Sequence, residues 1–217
     1  MKPNNRNAEG YADPTAAAAL KHAQQSIRGR QSRDIGNQFE KMVEASMLWY
    51  EERGQVCVEK TPEPMKPLGK ADKWGRFLAC FTKKAQPDFK GTLLGGRSVV
   101  FEAKHTDGDR INFDRVTDKQ ADRLEKHWKL GAASFVLVSF RLTMFCRIPW
   151  PVWRDMKELY GRKYMTEAEC ERFRVKYIAG VIKLLDGVRM TPNDMQAGER
   201  VVPVSELRKA LTGAERK

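Results

Sequence analysis

Three residues on two neighbouring stretches could do chemistry together. Asp88 follows Pro87 and opens DFKGTLL, and beyond Gly95 and Gly96 the stretch SVVFEAKHT carries Glu102 and Lys104. Side chains alternate along a strand, so Glu102 and Lys104 share one face while Phe101 and Ala103 take the other. Asp88 joins them only if the hairpin register allows it. A two-residue Gly95-Gly96 loop pairs Asp88 with Ala103, on the wrong face. A three-residue loop over Gly95, Gly96 and Arg97 pairs Leu94 with Ser98 and Asp88 with Lys104, on the right one, and glycines suit its left-handed position. A bulge would also restore the register. Two carboxylates on one face make a hard-oxygen site suited to Mg²⁺ or Mn²⁺, cations that assist phosphodiester hydrolysis. Lys104 beside them would orient the attacking water or offset charge in the transition state. An acid-x-lysine tripeptide alone is weak, because such pairs often form surface salt bridges. The added acid on the preceding strand makes the set informative.

Other polar residues are candidates for the same site. Gln120 stands four residues from both Val116 and Leu124, on the inward face of an expected helix. An unsatisfied amide there costs about 1–3 kcal/mol, so it either reaches the metal or makes a helix-packing hydrogen bond. Glu40 lies on the first helix of the packed region and either approaches the site or faces solvent. His105 follows the motif, but alternation turns it away from Lys104, and it reads as a bystander.

The elements that must position these groups follow from periodicity. Ile35, Phe39, Met42, Val43, Met47 and Tyr50 recur at helical spacing, with Asp34 as N-cap and Gly54 as stop. VCVEK reads as a strand ended by Pro62 and Pro64. A helix is expected from Val116 to Leu130, ended by Gly131. SFVLVSF reads as a central apolar strand, TMFCRIPW as another, and PVWRDMKELYG as a short helix. TEAECERFRVKY reads as a further helix, with Thr166 and Glu169 forming a capping box. Past Ala179 only VSELRKAL has a clear helical pattern.

Composition bounds the partners. The chain has 217 residues and a formal net charge of +12, an excess that favours a polyanionic partner. No apolar run approaches the ~20 residues of a membrane helix, and the first residues lack the apolar centre of a signal peptide. The scattered cysteines (Cys57, Cys80, Cys146 and Cys170) read as reduced thiols, so a cytoplasmic protein is expected. Residues 1–33 read as a basic flexible arm, carrying Arg30 and Arg33, with a helix possible from Ala16 to Ile27. Residues 34–165 read as the catalytic core and 166–217 as a C-terminal extension. Within the core, residues 63–84 hold six basic residues against two acidic ones, with Trp74, Phe77 and Phe81 interleaved. Lys66, Lys70, Lys73, Arg76, Lys83 and Lys84 could hold phosphates while the aromatics stack on exposed bases. The alternative is a hairpin whose aromatics pack on the core, and both can hold at once.

The runs GNQFEKMVEASMLWY, VEKTPEPMK, PDFKG, VVFEAKHT and DKQADRLEKH, in that order over roughly residues 34–160, resemble RecU-type Holliday junction resolvases of the PD-(D/E)XK nuclease superfamily. The resemblance implies an α/β, restriction-endonuclease-like mixed sheet flanked by helices, with residues 63–84 as a protruding basic stalk. It implies a homodimer that binds branched DNA and nicks four-way junctions in pairs. Asp88, Glu102 and Gln120 become metal-site residues, Lys104 the transition-state stabiliser and Glu40 the matching acid of the first helix. The family's usual threonine two residues before the aspartate is Gln86 here. The C-terminal part has no counterpart in the resemblance, as in a divergent, phage-encoded member. Two rivals remain: a related nuclease acting on duplex DNA, which needs no stalk, and a DNA-binding recombination accessory protein, disfavoured by the intact acid-lysine set. An RNA-binding module is disfavoured because no RNA-reading motif is present.

Overall fold

A computed structural model describes residues 14–62, 64–82, 86–189 and 208–209. The chain divides into two compact units, residues 1–38 and 39–217. Helix α1 runs over Pro14–Glu51, and its residues to Gln38 belong to the first unit. Proline at a helix start loses no hydrogen bond, and the alanines that follow have the highest helix propensity. The helix therefore begins well before Asp34, and Asp34 lies within it rather than capping it. The Ala16–Ile27 helix is part of the same element. Gly54, at φ +65°, ends the element as expected, with its N–H donating to the Glu51 carbonyl.

In the second unit the elements follow in order. They are β1 (Val56–Lys60), β2 (Met65–Pro67), β3 (Ala79–Phe81), β4 (Phe89–Leu93), β5 (Ser98–Thr106), β6 (Arg110–Asn112), a 3-10 turn (Phe113–Arg115), α2 (Asp118–Lys129), β7 (Ala133–Phe140), β8 (Met144–Pro149), α3 (Trp150–Arg154), α4 (Met156–Tyr160), β9 (Tyr164–Thr166), α5 (Glu167–Cys170), a second 3-10 turn (Glu171–Phe173), β10 (Arg174–Val175), β11 (Tyr177–Ile178) and β12 (Val181–Ile182). Six strands form one mixed sheet in the order β1-β4-β5-β7-β8-β10. β5 and β7 pair in parallel through the α2 crossover, and the remaining pairs are antiparallel. Every residue of β7 is buried, which explains its unbroken apolar run.

Each face of the sheet carries a core. On one, Phe39, Val43, Met47 and Tyr50 of α1 pack on Phe101, Ala103, Leu137 and Phe145. Phe89, Phe101 and Phe135 stack across three strands with centroids 4.9 and 4.7 Å apart. On the other face, Leu124 of α2 packs with Val100, Val136, Val138 and Ile148, beside Trp150 and Trp153. The α1 core is closed by residues 182–186. Ser46 Oγ accepts from Ile182 N at 2.9 Å, and Tyr50 Oη donates to Asp186 at 2.8 Å and accepts from Leu185 N at 3.3 Å.

Two sequence expectations change here. The β4–β5 register pairs Thr92 with Ser98 and Phe89 with Phe101. The loop is therefore Leu94-Gly95-Gly96, with Leu93 N–H donating to Arg97 O at 2.8 Å. It has the expected odd length but starts one residue earlier, and the glycines at φ +88° and +89° make its left-handed turn. The helix expected over TEAECERFRVKY is one turn only. Its Thr166–Glu169 capping box forms, but Arg174 and Val175 are drawn onto the sheet edge against Cys146 and Phe145. Of the expected terminal helix, Arg208 and Lys209 are helical, and the remainder lies outside the described residues.

Candidate active site

Continuing the β4–β5 register, Asp88 stands opposite Glu102 rather than Lys104. The one-face expectation holds because the loop keeps odd parity. Lys104 Nζ bridges the carboxylates, 3.1 Å from Asp88 Oδ2 and 2.8 Å from Glu102 Oε2. Asp88 Oδ2 also accepts from Ala103 N at 3.0 Å, and the Asp88 carbonyl accepts from Thr61 N at 2.9 Å. The acid is thus fixed by both neighbouring strands.

Gln120 makes hydrogen bonds at both ends of its side chain. Its Oε1 accepts from Thr117 N and Oγ1, which closes the capping box that starts α2. Its Nε2 donates to Glu102 Oε2 at 2.5 Å. The start of α2 is thereby tied to the buried acid.

Burial sets the electrostatics. Glu102 is 0% exposed, and desolvation pushes its carboxyl up to about 8 against the pull of Lys104. For Lys104 burial acts downward, but the Asp88 and Glu102 carboxylates outweigh it and hold the ammonium above its usual value. A neutral Glu102 would leave Lys104 to Asp88 alone, so the two directions belong to opposite ends of one titration.

The donor set fits a hard divalent cation. Glu102 Oε1 is buried without a hydrogen-bond partner, and a buried carboxylate oxygen left unmet is costly. A cation held between it and Asp88 would satisfy both. Among the described residues no group of three His, Cys, Asp or Glu side chains converges, so the two carboxylates and water would complete such a shell, with Gln120 holding Glu102 from beside it.

The other predicted residues lie elsewhere. Glu40 pairs with Lys60 at 2.8 Å, and Glu44 shares that lysine. Lys60 precedes Thr61, so Glu40 connects to Asp88 through the backbone of β1 rather than by contact. Gln86 is exposed and accepts from Lys90 at 3.3 Å. His105 is turned away as expected, between Ser139 Oγ and Asp107. Thr61 was not singled out by sequence. Its hydroxyl is buried without a partner, and only the strand pairing brings it to Asp88.

The stalk forms a β2–β3 hairpin, and residues 65–78 are all exposed. Asp72 organises its tip, accepting from the N–H groups of Trp74 and Arg76 and from Arg76 Nε at 2.8–2.9 Å. Arg76 is therefore engaged with Asp72. Lys66, Lys70 and Lys73 have no ion-pair partner among the described residues, and Lys73 Nζ lies 4.9 Å from the Trp74 ring. Trp74, Phe77 and Leu78 are exposed rather than packed on the core. Lys83 and Lys84 lie outside the described residues. Arg30 and Arg33 are exposed on α1. The cysteines are free, as expected, and among the described residues no helix is long and apolar enough to cross a membrane.

The family model RecU, recombination protein U, matches residues 34–183. The match starts where the sequence resemblance does and continues past residue 165, through β10 and β12, so this stretch does have a family counterpart. No curated protein matches the chain. Among solved structures, Hjc from Archaeoglobus fulgidus, a Holliday junction resolvase from an archaeal hyperthermophile, is similar over 65% of this chain and 90% of that chain, at 12% identity and a TM-score of 0.38.

Proposed function

The chain belongs to the RecU family of Holliday junction resolvases, and from that membership we propose that it is a Mg²⁺-dependent endonuclease that resolves four-way DNA junctions by paired nicks. The observation that carries this reading is the buried Glu102 carboxylate, with one oxygen unpartnered and the other held by Lys104 and Gln120. Asp88 and Glu102 would hold the metal, with Gln120 at its margin. A divalent cation bound there supplies Lewis acidity to water and to the scissile phosphate. Gln120 fixes the rotamer of Glu102, and the Ala103 N–H fixes that of Asp88. With a cation held by these carboxylates, the Lys104 ammonium would be free to donate to a phosphate oxygen as negative charge builds there. Glu40 acts as a positioning residue, holding the end of β1 through Lys60.

Affinity rests on cations outside this site, namely the stalk lysines with Arg30 and Arg33. Branch selection rests on shape, with the exposed stalk of each subunit of a homodimer entering the junction centre. Residues 1–33 serve as a basic arm, 34–183 as the nuclease core, since the family match and the sheet both run past residue 165, and the residues after it as a C-terminal extension.

The test is cleavage of a labelled four-way junction, a linear duplex and a flap, with and without Mg²⁺. Junction cleavage should require Mg²⁺, vanish in Glu102→Gln and Asp88→Asn, and fall strongly in Lys104→Ala, while junction binding persists. Normal cleavage by Glu102→Gln would remove the site. Equal cleavage of duplex would favour the duplex-nuclease reading.

A further inference from the structure

A second cationic cluster lies away from the acid-lysine site. Arg147 of β8, Arg172 and Arg174 before and on β10, and Lys176 and Lys183 line a cleft of about 330 Å³ with Asp186. The cleft holds five cations and one carboxylate, and that carboxylate already accepts the Tyr50 hydroxyl at 2.8 Å. Arg174 pairs with Glu171 at 2.9 Å. Lys176 and Lys183 have no ion-pair partner among the described residues.

The cleft is built rather than incidental. Arg147 Nη1 donates to the carbonyls of Leu184 and Asp186, each at 2.8 Å, which fixes the guanidinium in place. Burial pushes its pKa down, as expected of a cation set where solvent is scarce. Lys183 Nζ rests 3.0 Å from the centroid of the Trp49 ring, which holds the ammonium without neutralising it. Fixed cations that outnumber the carboxylates in a concave site suit a phosphate.

Register places Arg147 on the far side of the sheet from the candidate active site, while Arg174, opposite Cys146, lies on the other face at the open β10 edge. Arg147 stands opposite Leu137, and Leu137 opposite Ala103. Ala103 faces the α1 core, whereas its neighbours Glu102 and Lys104 point the other way. A strand lying on Asp88 and Glu102 therefore does not reach Arg147 on the same face.

We infer that Arg147, Arg172, Arg174, Lys176 and Lys183 form a second DNA-phosphate site, one that holds an arm of the branched substrate other than the arm being cut. The inference rests on the proposed DNA-cleaving function and adds to it a separate point of contact. A linear duplex on the catalytic face does not reach Arg147 across the sheet, and a junction, with an arm to spare, can engage both sites.

The test is junction binding in the Glu102→Gln background, so that no cleavage intervenes, with affinity measured against salt. Replacing Lys176 and Lys183 by glutamine should reduce the slope of log affinity on log salt by about 1.8, at roughly 0.9 per lost phosphate contact. Lys176→Gln alone, at an exposed position, should reduce it by about 0.9. Arginine at both positions should restore the parent slope, which a role in packing alone would not do. An unchanged slope in both glutamine variants, with unchanged thermal midpoints, would overturn the inference. Failure of the parent protein to bind a junction at all would instead overturn the proposed function.

Discussion

At the residue scale the site is one buried carboxylate and the groups that tolerate it. Glu102 has its pKa raised above the ordinary carboxylate range, so between that range and about 8 the folded protein binds more protons than the unfolded chain. Its stabilising contribution is complete at low pH and is lost as pH rises through that window. In chelator, the unfolding midpoint in urea should therefore fall from pH 5 to pH 8.5 by more in the parent than in Glu102→Gln. Added Mg²⁺ should raise the midpoint more at pH 8 than at pH 5, because the ligand must be ionised to bind. Gln120 separates two roles. Gln120→Ala should cost about 1 kcal/mol through the lost cap and should also slow cleavage. Gln120→Glu keeps a capping-box acceptor but sets a second negative charge against Glu102, so thermal stability should recover further than the single-turnover rate. Equal loss of both in the two variants would show that Gln120 acts only as a cap. Sequence spacing showed that Gln120 faced inward, but not that one amide would serve both ends, because the Thr117 contact is local and the Glu102 contact spans strand and helix.

At the element scale, the parts most readable in the sequence are those whose reasons are local. β7 and β8 are apolar runs bounded by turns, and α1 stops at a glycine. What sequence could not specify depends on distant pairing. The loop of the β4–β5 hairpin starts at Leu94 because Leu94 N–H donates to the Gln55 carbonyl at 2.7 Å, a contact with the start of β1. The α5 segment stops after one turn because β8 offers an open edge. At Gly91 of β4 a Cβ would lie 2.0 Å from the Cys57 carbonyl oxygen and 2.6 Å from Val58 Cα, a close approach that only the pairing of β4 with β1 creates. Backbone cannot yield cheaply at that distance. Gly91→Ala should therefore destabilise the protein by about 3 kcal/mol or more, beyond the usual range for point changes. It should also loosen Asp88 three residues away, lowering cleavage in protein that still folds. A calorimetric midpoint within error of the parent would refute the close approach.

At the scale of the whole molecule, charge is unevenly used. The candidate site holds its own lysine in ion pairs, so the proposed affinity rests on cations elsewhere, the exposed stalk among them. Lys66, Lys70 and Lys73 replaced together by alanine should reduce the junction salt slope by about 2.7, at roughly 0.9 per contact. Arg76→Ala should act differently, because Arg76 is already bonded to Asp72, and its loss should disorder the tip more than it removes a phosphate contact. Replacing residues 68–78 with a short glycine turn should leave the sheet intact, since residues 65–78 are exposed throughout. It should also abolish most preference for junction over duplex in competition at fixed salt. Preserved preference would move branch selection away from the stalk.

The latch of residues 182–186 onto Ser46 and Tyr50 has a consequence in time. Ser46 and Ile182 are separated by 136 positions, and synthesis adds about 5–20 residues per second. The inner face of α1 therefore waits roughly 7 to 27 s on the ribosome before the residues that cover it exist. Contacts of such long range also slow folding after release. During that interval Met47, Tyr50 and their neighbours are open to whatever else is nearby, so a chaperone that holds apolar helices has its opportunity at a defined stage of the protein's birth.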